Sequence, residues 1–451
     1  MQSWPLIRFN FPDHEGNTMT YPVTSDQAIA VHATDNHAVV TRQQWKWSML
    51  AGMASYLDAG SIVALGAGLA LFQSELGLDS SAVGALAAIG PNAIGAAIGA
   101  FIGGRLGDRL GRKRIYKYDL LVYAAGVLCI ALAVNATMLF AGTFVLGVAV
   151  GADVPTSLAL VGELSPSKAR AKLVGLTQVA WYSGPAIVLI LALVLAPLGM
   201  LGIRIVFFHL FVVAILTWAL RKGLSESARW QAASVKASSA AQDLRSLFSG
   251  QNLRALAWTG TIYLFWGLAA GTAGIFTPYI VKTLNAGSQA ASVALSCSAF
   301  VIGIFATIFL FMRYADRDHR TRRLMWGVGA VMQVVSYGIF LVLPFTVPVI
   351  LLNIALFWIG SVLAGEAFYK VFSQELFPTM LRGTAQGLTF GTARIILGIW
   401  SFFVPVLAKA GIEPIATLLT LFLVISGAVG FLFMPDTSGK SLEQIEMERG
   451  A

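Results

Sequence analysis

The sequence predicts an all-α membrane protein with about twelve transmembrane helices arranged as two pseudo-symmetric six-helix bundles. First, 57% of the 451 residues are apolar and only 12% are charged, whereas soluble globular domains average about 45–50% and about 25%. Second, the apolar residues form about twelve long runs, and a spanning helix needs about 20 such residues. Third, two motifs recur in the second half of the chain. Together these observations exclude an ordinary soluble enzyme and a disordered chain.

The apolar runs divide the chain into five regions. These are a cytosolic tail (1–46), an N-terminal bundle (47–220), a cytosolic linker (221–254), a C-terminal bundle (255–434) and a cytosolic C-terminal tail (435–451). The first region lacks the apolar core of a signal peptide. The predicted spans are residues 48–73, 82–104, 117–135, 138–162, 173–197, 202–220, 255–283, 289–312, 324–344, 347–372, 384–408 and 412–434.

The positive charges predict the topology. Of the 31 Lys and Arg residues, 26 fall in the two tails, the linker and alternate loops, which leaves Arg204, Lys282, Lys370, Arg394 and Lys409 for the membrane or the outside. Because basic loops stay in the cytoplasm, both termini are expected there, in a bacterial inner membrane. This topology accounts for the net charge of +9, so no nucleic-acid partner is implied. Both cysteines lie inside apolar runs, and no metal, cofactor or catalytic cluster is predicted.

The two halves of the chain repeat each other. Residues 163–170 match residues 375–382 at an offset of 212, and residues 108–112 match residues 316–320 at an offset of 208. Two motifs in one order and at nearly one offset indicate parallel duplication of a six-helix unit. Such a duplication places the substrate site near the middle of the bilayer, between the two halves.

Five motifs resemble those of the sugar porters of the major facilitator superfamily. Residues 104–113 resemble the signature loop between helices 2 and 3, and residues 163–170 and 375–382 resemble the motifs after helices 4 and 10. Residues 225–230 are similar to the motif after helix 6, and residues 435–443 to the C-terminal motif. The resemblance implies a secondary transporter that works by alternating access.

The loop motifs carry charges that the resemblance assigns to a cytoplasmic gate. A carboxylate there can pair with an arginine or with a helix N-terminus, which would hold the cytoplasmic side shut while the site faces outward. The alternative is that the basic residues only keep these loops in the cytoplasm and do not form a gate. The predicted gate residues are Asp108, Arg109, Arg112, Glu163, Arg170, Glu226, Arg229, Asp316, Arg317, Arg320, Glu375 and Arg382.

Charged residues inside the predicted spans are functional candidates, because a charge at the bilayer centre costs at least about 2.5–3.5 kcal/mol. Asp58 in helix 1 lies where proton-coupled sugar porters carry a carboxylate, so the resemblance implies proton coupling. Asp153 lies in a segment that resembles helix 4 of phosphate and organic-metabolite symporters. We expect it to be a second protonation site or a hydroxyl acceptor, and a helix kink with the nearby proline is the alternative.

The counter-charge of Asp58 is not predicted. Sugar porters usually place an arginine in helix 4 at the position that Thr143 occupies here. Glu366 and Lys370 are separated by four residues and share a helix face. They form either a self-contained ion pair or part of the substrate site. Arg394 is expected to pair with a carboxylate of the C-terminal half or with an anionic substrate.

Further candidates come from spacing and side-chain type. Gln178 follows Arg170 by eight residues, which is the spacing of a substrate-binding glutamine in sugar porters. Tryptophans in the spans can stack on a sugar ring or simply pack. The glycine-rich run over residues 90–104 predicts close helix packing. The predicted substrate-binding residues are Gln178, Trp181, Trp266, Thr272, Glu366, Lys370 and Arg394.

The sequence therefore predicts a transporter, acting as a monomer, that moves a sugar or a polyol such as inositol by proton symport. The alternative is a proton-coupled transporter of organic anions, which Lys370, Arg394 and the Asp153 motif suggest. A remote alternative is a non-transporting sensor on the same fold. The short linker of about 33 residues and C-terminal tail of about 17 residues argue against it.

Overall fold

The N-terminal tail is only partly described. The computed structural model describes residues 11–12, 18–19, 40–235, 240–284, 286 and 289–450. Two short strands, Phe11–Pro12 and Thr18–Met19, pair antiparallel with Phe11 opposite Met19. The rest of the predicted tail up to residue 39 lies outside the described residues.

Most of the described chain is helical, which confirms the predicted fold class. Eleven helical segments of the described residues are long and apolar enough to cross a membrane. Helix Arg112–Ala131 completes a set of twelve, and it is more polar because charged residues fill its first turns. In chain order, spans 1 to 12 are Arg42–Leu76, Ala82–Leu110, Arg112–Ala131, Ala136–Leu164, Ser167–Val194, Met200–Arg221, Gly250–Phe276, Ala291–Tyr314, His319–Leu341, Val347–Glu375, Arg382–Lys409 and Glu413–Leu432.

The regions between the spans are also partly helical. Span 1 begins inside the predicted tail, and span 7 begins inside the predicted linker. Helix Thr277–Thr283 continues span 7 beyond Phe276. Three further helices lie in the described parts of the linker and the C-terminal tail: Ala228–Val235, Ala240–Leu247 and Leu442–Gly450. We call the end of the bundle that carries them the linker end, and the opposite end the far end.

Local sequence accounts for several helix starts. Thr41 and Gln44 form a reciprocal capping box at the start of span 1. The side chains of Asn135 and Asp318 accept a backbone N–H in the first turns of spans 4 and 9. These contacts satisfy N–H groups that the first turn leaves without helical partners.

Spans 2, 7, 8 and 10 are irregular, and span 8 contains a π-helical turn at Thr307–Phe311. Span 2 consists of helices Ser80–Ile89 and Ile94–Leu110, and span 7 contains a π-helical turn at Thr272–Phe276. Span 10 consists of helices Val347–Leu363 and Glu366–Glu375. A Cβ atom on Gly365 would lie 2.4 Å from the indole nitrogen of Trp266, so only glycine fits at this break. Interrupted spans are typical of transporter binding sites.

The two halves meet where span 2 packs on span 11 and span 5 packs on span 8. The glycine-rich run makes one of these approaches close: a Cβ on Gly104 would lie 2.3 Å from the carbonyl oxygen of Gly383. Within the N-terminal half, a Cβ on Gly103 would lie 2.3 Å from the Cα of Ala152. The predicted close packing of this run is therefore confirmed.

Candidate functional site

An ion pair joins the two halves in the middle of the bundle. Arg394 Nη2 of span 11 lies 3.1 Å from Asp58 Oδ2 of span 1, and both side chains are buried. Trp181 Nε1 donates to the same carboxylate at 3.3 Å, and Arg394 Nη1 donates to Asn92 Oδ1 at 3.0 Å. Arg394 thus supplies the counter-charge that the sequence did not identify. The expectation that it pairs within the C-terminal half is wrong, because span 11 turns this side chain toward span 1.

A second polar group links spans 5 and 10. Lys370 Nζ lies 3.6 Å from a carboxylate oxygen of Glu366. Gln178 bridges them: its amide nitrogen donates to Glu366 Oε2 at 3.0 Å, and its amide oxygen accepts from Lys370 Nζ at 2.8 Å. The predicted ion pair therefore forms, and Gln178 ties it to the opposite half.

A cavity lies beside these two groups. It holds about 670 Å³ of space free of atoms, including its open side. It is lined from both halves, near the middle of the spans. Four of the predicted residues line it: Trp181, Trp266, Glu366 and Arg394. Sequence reasoning missed Asn92 and Tyr263. For Asn92 the signal was an amide in an otherwise apolar run, next to a proline.

Thr272 does not line the central cavity. It is buried, its hydroxyl donates to the carbonyl of Leu268 at 2.7 Å, and it accepts from the indole of Trp400 at 2.8 Å. It lines a smaller cavity inside the C-terminal half. Its predicted substrate contact is not supported, because the π-helical turn directs it away from the central cavity.

Asp153 also lies away from the central cavity. Its two carboxylate oxygens accept from Arg221 Nη1 at 3.1 and 3.0 Å, inside the N-terminal half. Its predicted role as a substrate hydroxyl acceptor is not supported, because span 4 presents this face to its own bundle.

Two aspartates close the linker end by capping helices of the opposite half. Asp108 accepts hydrogen bonds from two backbone N–H groups at the start of span 11, at 3.0 and 2.6 Å. Asp316 accepts from two at the start of span 5, at 2.8 and 2.7 Å. Burial raises the pKa of the Asp316 carboxyl. A helix N-terminus favours a negative charge, so each contact holds the two halves together.

Two glutamates make matching bridges beside these caps. Glu163 Oε1 binds Arg112 of its own half at 2.7 Å and Arg382 of the opposite half at 3.2 Å. Glu375 binds one arginine of its own half at 2.9 Å and Arg170 of the opposite half at 3.0 Å. We call the two aspartate caps and the two glutamate bridges the latch.

Three predicted gate arginines lie on the surface, outside the latch. Arg109, Arg317 and Arg320 are exposed. The partner of Glu375 within its own half is Arg322, so the alignment that set Arg320 opposite Arg112 is wrong by two residues. The reason is that Asp318 caps span 9 and places Arg322, in its first turns, on the buried face.

The linker covers the latch. Glu226 accepts from the backbone N–H groups of Arg112 and Lys113 at 3.1 and 3.0 Å. Arg229 donates to Glu443 of the C-terminal helix at 2.7 Å and to the carbonyl of Glu163 at 2.6 Å. Both predicted linker residues thus contact the closed end.

Replacing Glu375 with glutamine is expected to open the linker end. The change leaves the buried guanidinium groups of Arg170 and Arg322 without their shared counter-charge, and breaking a buried pair costs about 3–5 kcal/mol. The measurement is labelling of a Thr379→Cys reporter by a membrane-impermeant maleimide, in a background without the native cysteines. Labelling should rise in Glu375→Gln and stay low in the exposed control Arg317→Gln. Equal labelling in both would show that Glu375 does not hold the linker end closed.

Comparison with known proteins agrees with this architecture. Residues 48–401 match the family model of the Major Facilitator Superfamily. The chain is 39% identical to the minor myo-inositol transporter IolF of Bacillus subtilis strain 168, over 89% of this chain and 93% of that one. It is 25% identical to the glucose transporter GlcP of Staphylococcus epidermidis, over 75% and 82% of the two chains. The fold matches the proton:xylose symporter XylE bound to 6-bromo-6-deoxy-D-glucose with a TM-score of 0.76 at 19% identity, over 90% and 99%. The chain therefore belongs to the major facilitator superfamily, a family of multi-pass membrane transporters.

Proposed function

We propose that this protein moves a small neutral polyol of the myo-inositol type across a bacterial inner membrane, as a monomer, by symport with a proton. The extended similarity to a myo-inositol transporter supports the substrate class. The fold of a proton:xylose symporter is compatible with proton coupling.

The balance of charges at the central site carries the proposal. Two carboxylates, Asp58 and Glu366, face two cations, Arg394 and Lys370, and each cation lies within 3.6 Å of a carboxylate. Among the described residues of this site, no cation is left over to attract an anionic solute. The cavity offers hydrogen-bond donors, acceptors and indole faces, which suit a solute rich in hydroxyl groups.

Proton coupling follows from the Asp58–Arg394 pair. Protonation of Asp58 removes its charge and therefore the attraction that joins span 1 to span 11 across the halves. Arg394 is then free to bind a substrate hydroxyl, since a guanidinium carries several donors. A proton and a solute can in this way be bound together and released together.

The latch determines which side has access. With the linker end in the cytoplasm, as the positive charges predict, the structure represents a state closed to the cytoplasm. Opening requires the two aspartate caps and the two inter-half glutamate bridges to separate, because all four join the halves. Their symmetric placement supports an alternating-access cycle.

The test is uptake by purified protein in proteoliposomes. Radiolabelled myo-inositol is offered with a panel of sugars and sugar acids, with and without an inward proton gradient. We expect gradient-driven accumulation of the polyol that unlabelled polyols compete away. Accumulation of an acid only would instead favour the organic-anion alternative. Equilibration of the solute to the same level with and without the proton gradient would contradict symport.

A further inference from the structure

A buried ionic cluster lies inside the N-terminal half, apart from the cavity and the latch. It consists of Asp119 of span 3, Asp153 of span 4 and Arg221, the last residue of span 6, with exposed fractions of 6%, 4% and 3%. Two carboxylates therefore face one guanidinium. Nothing in the proposed transport cycle uses this cluster.

The guanidinium of Arg221 lies closer to one of the two carboxylates than to the other. Its Nη1 binds both oxygens of Asp153, at 3.1 and 3.0 Å, but lies 3.8 Å from Asp119 Oδ2. Its Nε donates to the carbonyl of Leu50 at 2.9 Å, and its Nη2 to that of Ala51 at 3.2 Å. A guanidinium contact to both oxygens together with a hydrogen bond donated by the hydroxyl of Ser157 is typical of an ionised carboxylate, so we assign to Asp153 the negative charge that balances Arg221.

Asp119 has no comparable partner. Its Oδ1 accepts from the adjacent backbone N–H of Leu120 at 2.6 Å, while its Oδ2 is buried without a hydrogen-bond partner in the part of the chain that the structure describes. The other titratable or charged groups facing it are Asp153, Arg221 and Tyr116, whose hydroxyl donates to a backbone carbonyl. The span 1 carbonyls beside this cluster accept hydrogen bonds from Arg221. An ionised Asp119 would thus be an uncompensated buried charge, which is strongly unfavourable.

We propose that Asp119 is a second proton-binding site, which holds its proton at neutral pH as a hydrogen-bond donor to the ionised Asp153. The added proton makes the cluster neutral overall and turns a repulsion between carboxylates into a hydrogen bond. This site is separate from Asp58, and it does not depend on which solute the cavity takes.

The proton at Asp119 stabilises the attachment of span 1. Arg221 holds the carbonyls of Leu50 and Ala51, and Asp58 lies seven residues beyond Ala51 on the same helix, about 10 Å further along at 1.5 Å per residue. Loss of the proton would draw Arg221 toward Asp119 and loosen this hold. Transport should therefore decline at alkaline pH through a group other than Asp58.

Infrared difference spectroscopy of the purified protein in a pH titration tests this assignment. In Asp58→Asn protein, we expect a carbonyl-stretch band of a protonated carboxylic acid at neutral pH that disappears at alkaline pH. Adding Asp119→Asn should remove it. Adding Asp153→Asn should remove it too, because Asp119 then gives up its proton to pair with Arg221.

The Asp153→Asn variant keeps the test decisive if Asp119→Asn does not fold. Absence of the band from Asp58→Asn protein, or its survival when either second substitution is added, would overturn the proposal. As a further readout, exchange of labelled for unlabelled solute by Asp58→Asn protein should decline at alkaline pH, and adding Asp119→Asn should keep the exchange and remove its alkaline decline. An unchanged alkaline decline in that variant would also contradict the proposal.

Discussion

Asp58→Asn is expected to abolish accumulation of the solute while exchange of labelled for unlabelled solute persists. Asparagine keeps the shape of the side chain and its contact with Trp181 Nε1, but it cannot take up a proton. One proton moving down a potential of 100 mV supplies about 2.3 kcal/mol, enough for roughly a 50-fold concentration ratio. The ratio in the variant should fall to about one. The measurement is the steady-state ratio of labelled myo-inositol across the proteoliposome membrane.

The exchange assay separates loss of coupling from loss of the site. Equal concentrations of solute on both sides remove the need for a driving force, so Asp58→Asn should still exchange. The exposed Arg320→Gln serves as the matched control, and it should accumulate like wild type. Full accumulation by Asp58→Asn would contradict the role of Asp58 as the coupling residue.

Arg394→Gln is expected to destabilise the protein more than any exposed arginine substitution. The change leaves the buried carboxylate of Asp58 without its counter-charge, and breaking a buried pair costs about 3–5 kcal/mol. The cost should fall at low pH, where a proton can neutralise Asp58. The measurement is the melting temperature in detergent at two pH values, compared with that of Arg320→Gln.

A double-mutant cycle shows whether the pair itself is responsible. The double variant Asp58→Asn/Arg394→Gln removes both charges, so most of the stability lost in Arg394→Gln should return. Coupling should not return, because the proton-binding carboxyl is absent. Additive losses of stability in the double variant would show that the two side chains act independently.

The fold was predictable because it rests on local patterns. Long apolar runs predict spans wherever they occur. The repeat of the motif at residues 163–170 by the motif at residues 375–382 can be recognised from the sequence without any tertiary contact. The starts of most odd-numbered spans were less predictable. The structure begins spans 1, 3, 5, 7 and 9 five or six residues before the apolar runs, because polar and charged residues occupy their first turns.

The candidate site was less predictable because its contacts join distant spans. Asp58 and Arg394 were each selected as intramembrane charges, but which carboxylate meets which cation depends on how span 11 faces span 1. The same limit explains Asp153, whose partner Arg221 lies at the end of span 6 and was counted there as a loop charge. Arg322 was missed because a gap of two residues in the repeat cannot be seen without the cap at Asp318.

The break in span 10 has a mechanical consequence. The segment Glu366–Glu375 has 10 residues and is therefore a stiff rod about 15 Å long. Its first residue lines the cavity, and its last binds Arg170 across the two halves. With Gly365 as a pivot, we expect this rod to act as a lever, so that a solute displacing Glu366 would tilt Glu375 against its partners. Occupancy of the cavity would in this way weaken the latch.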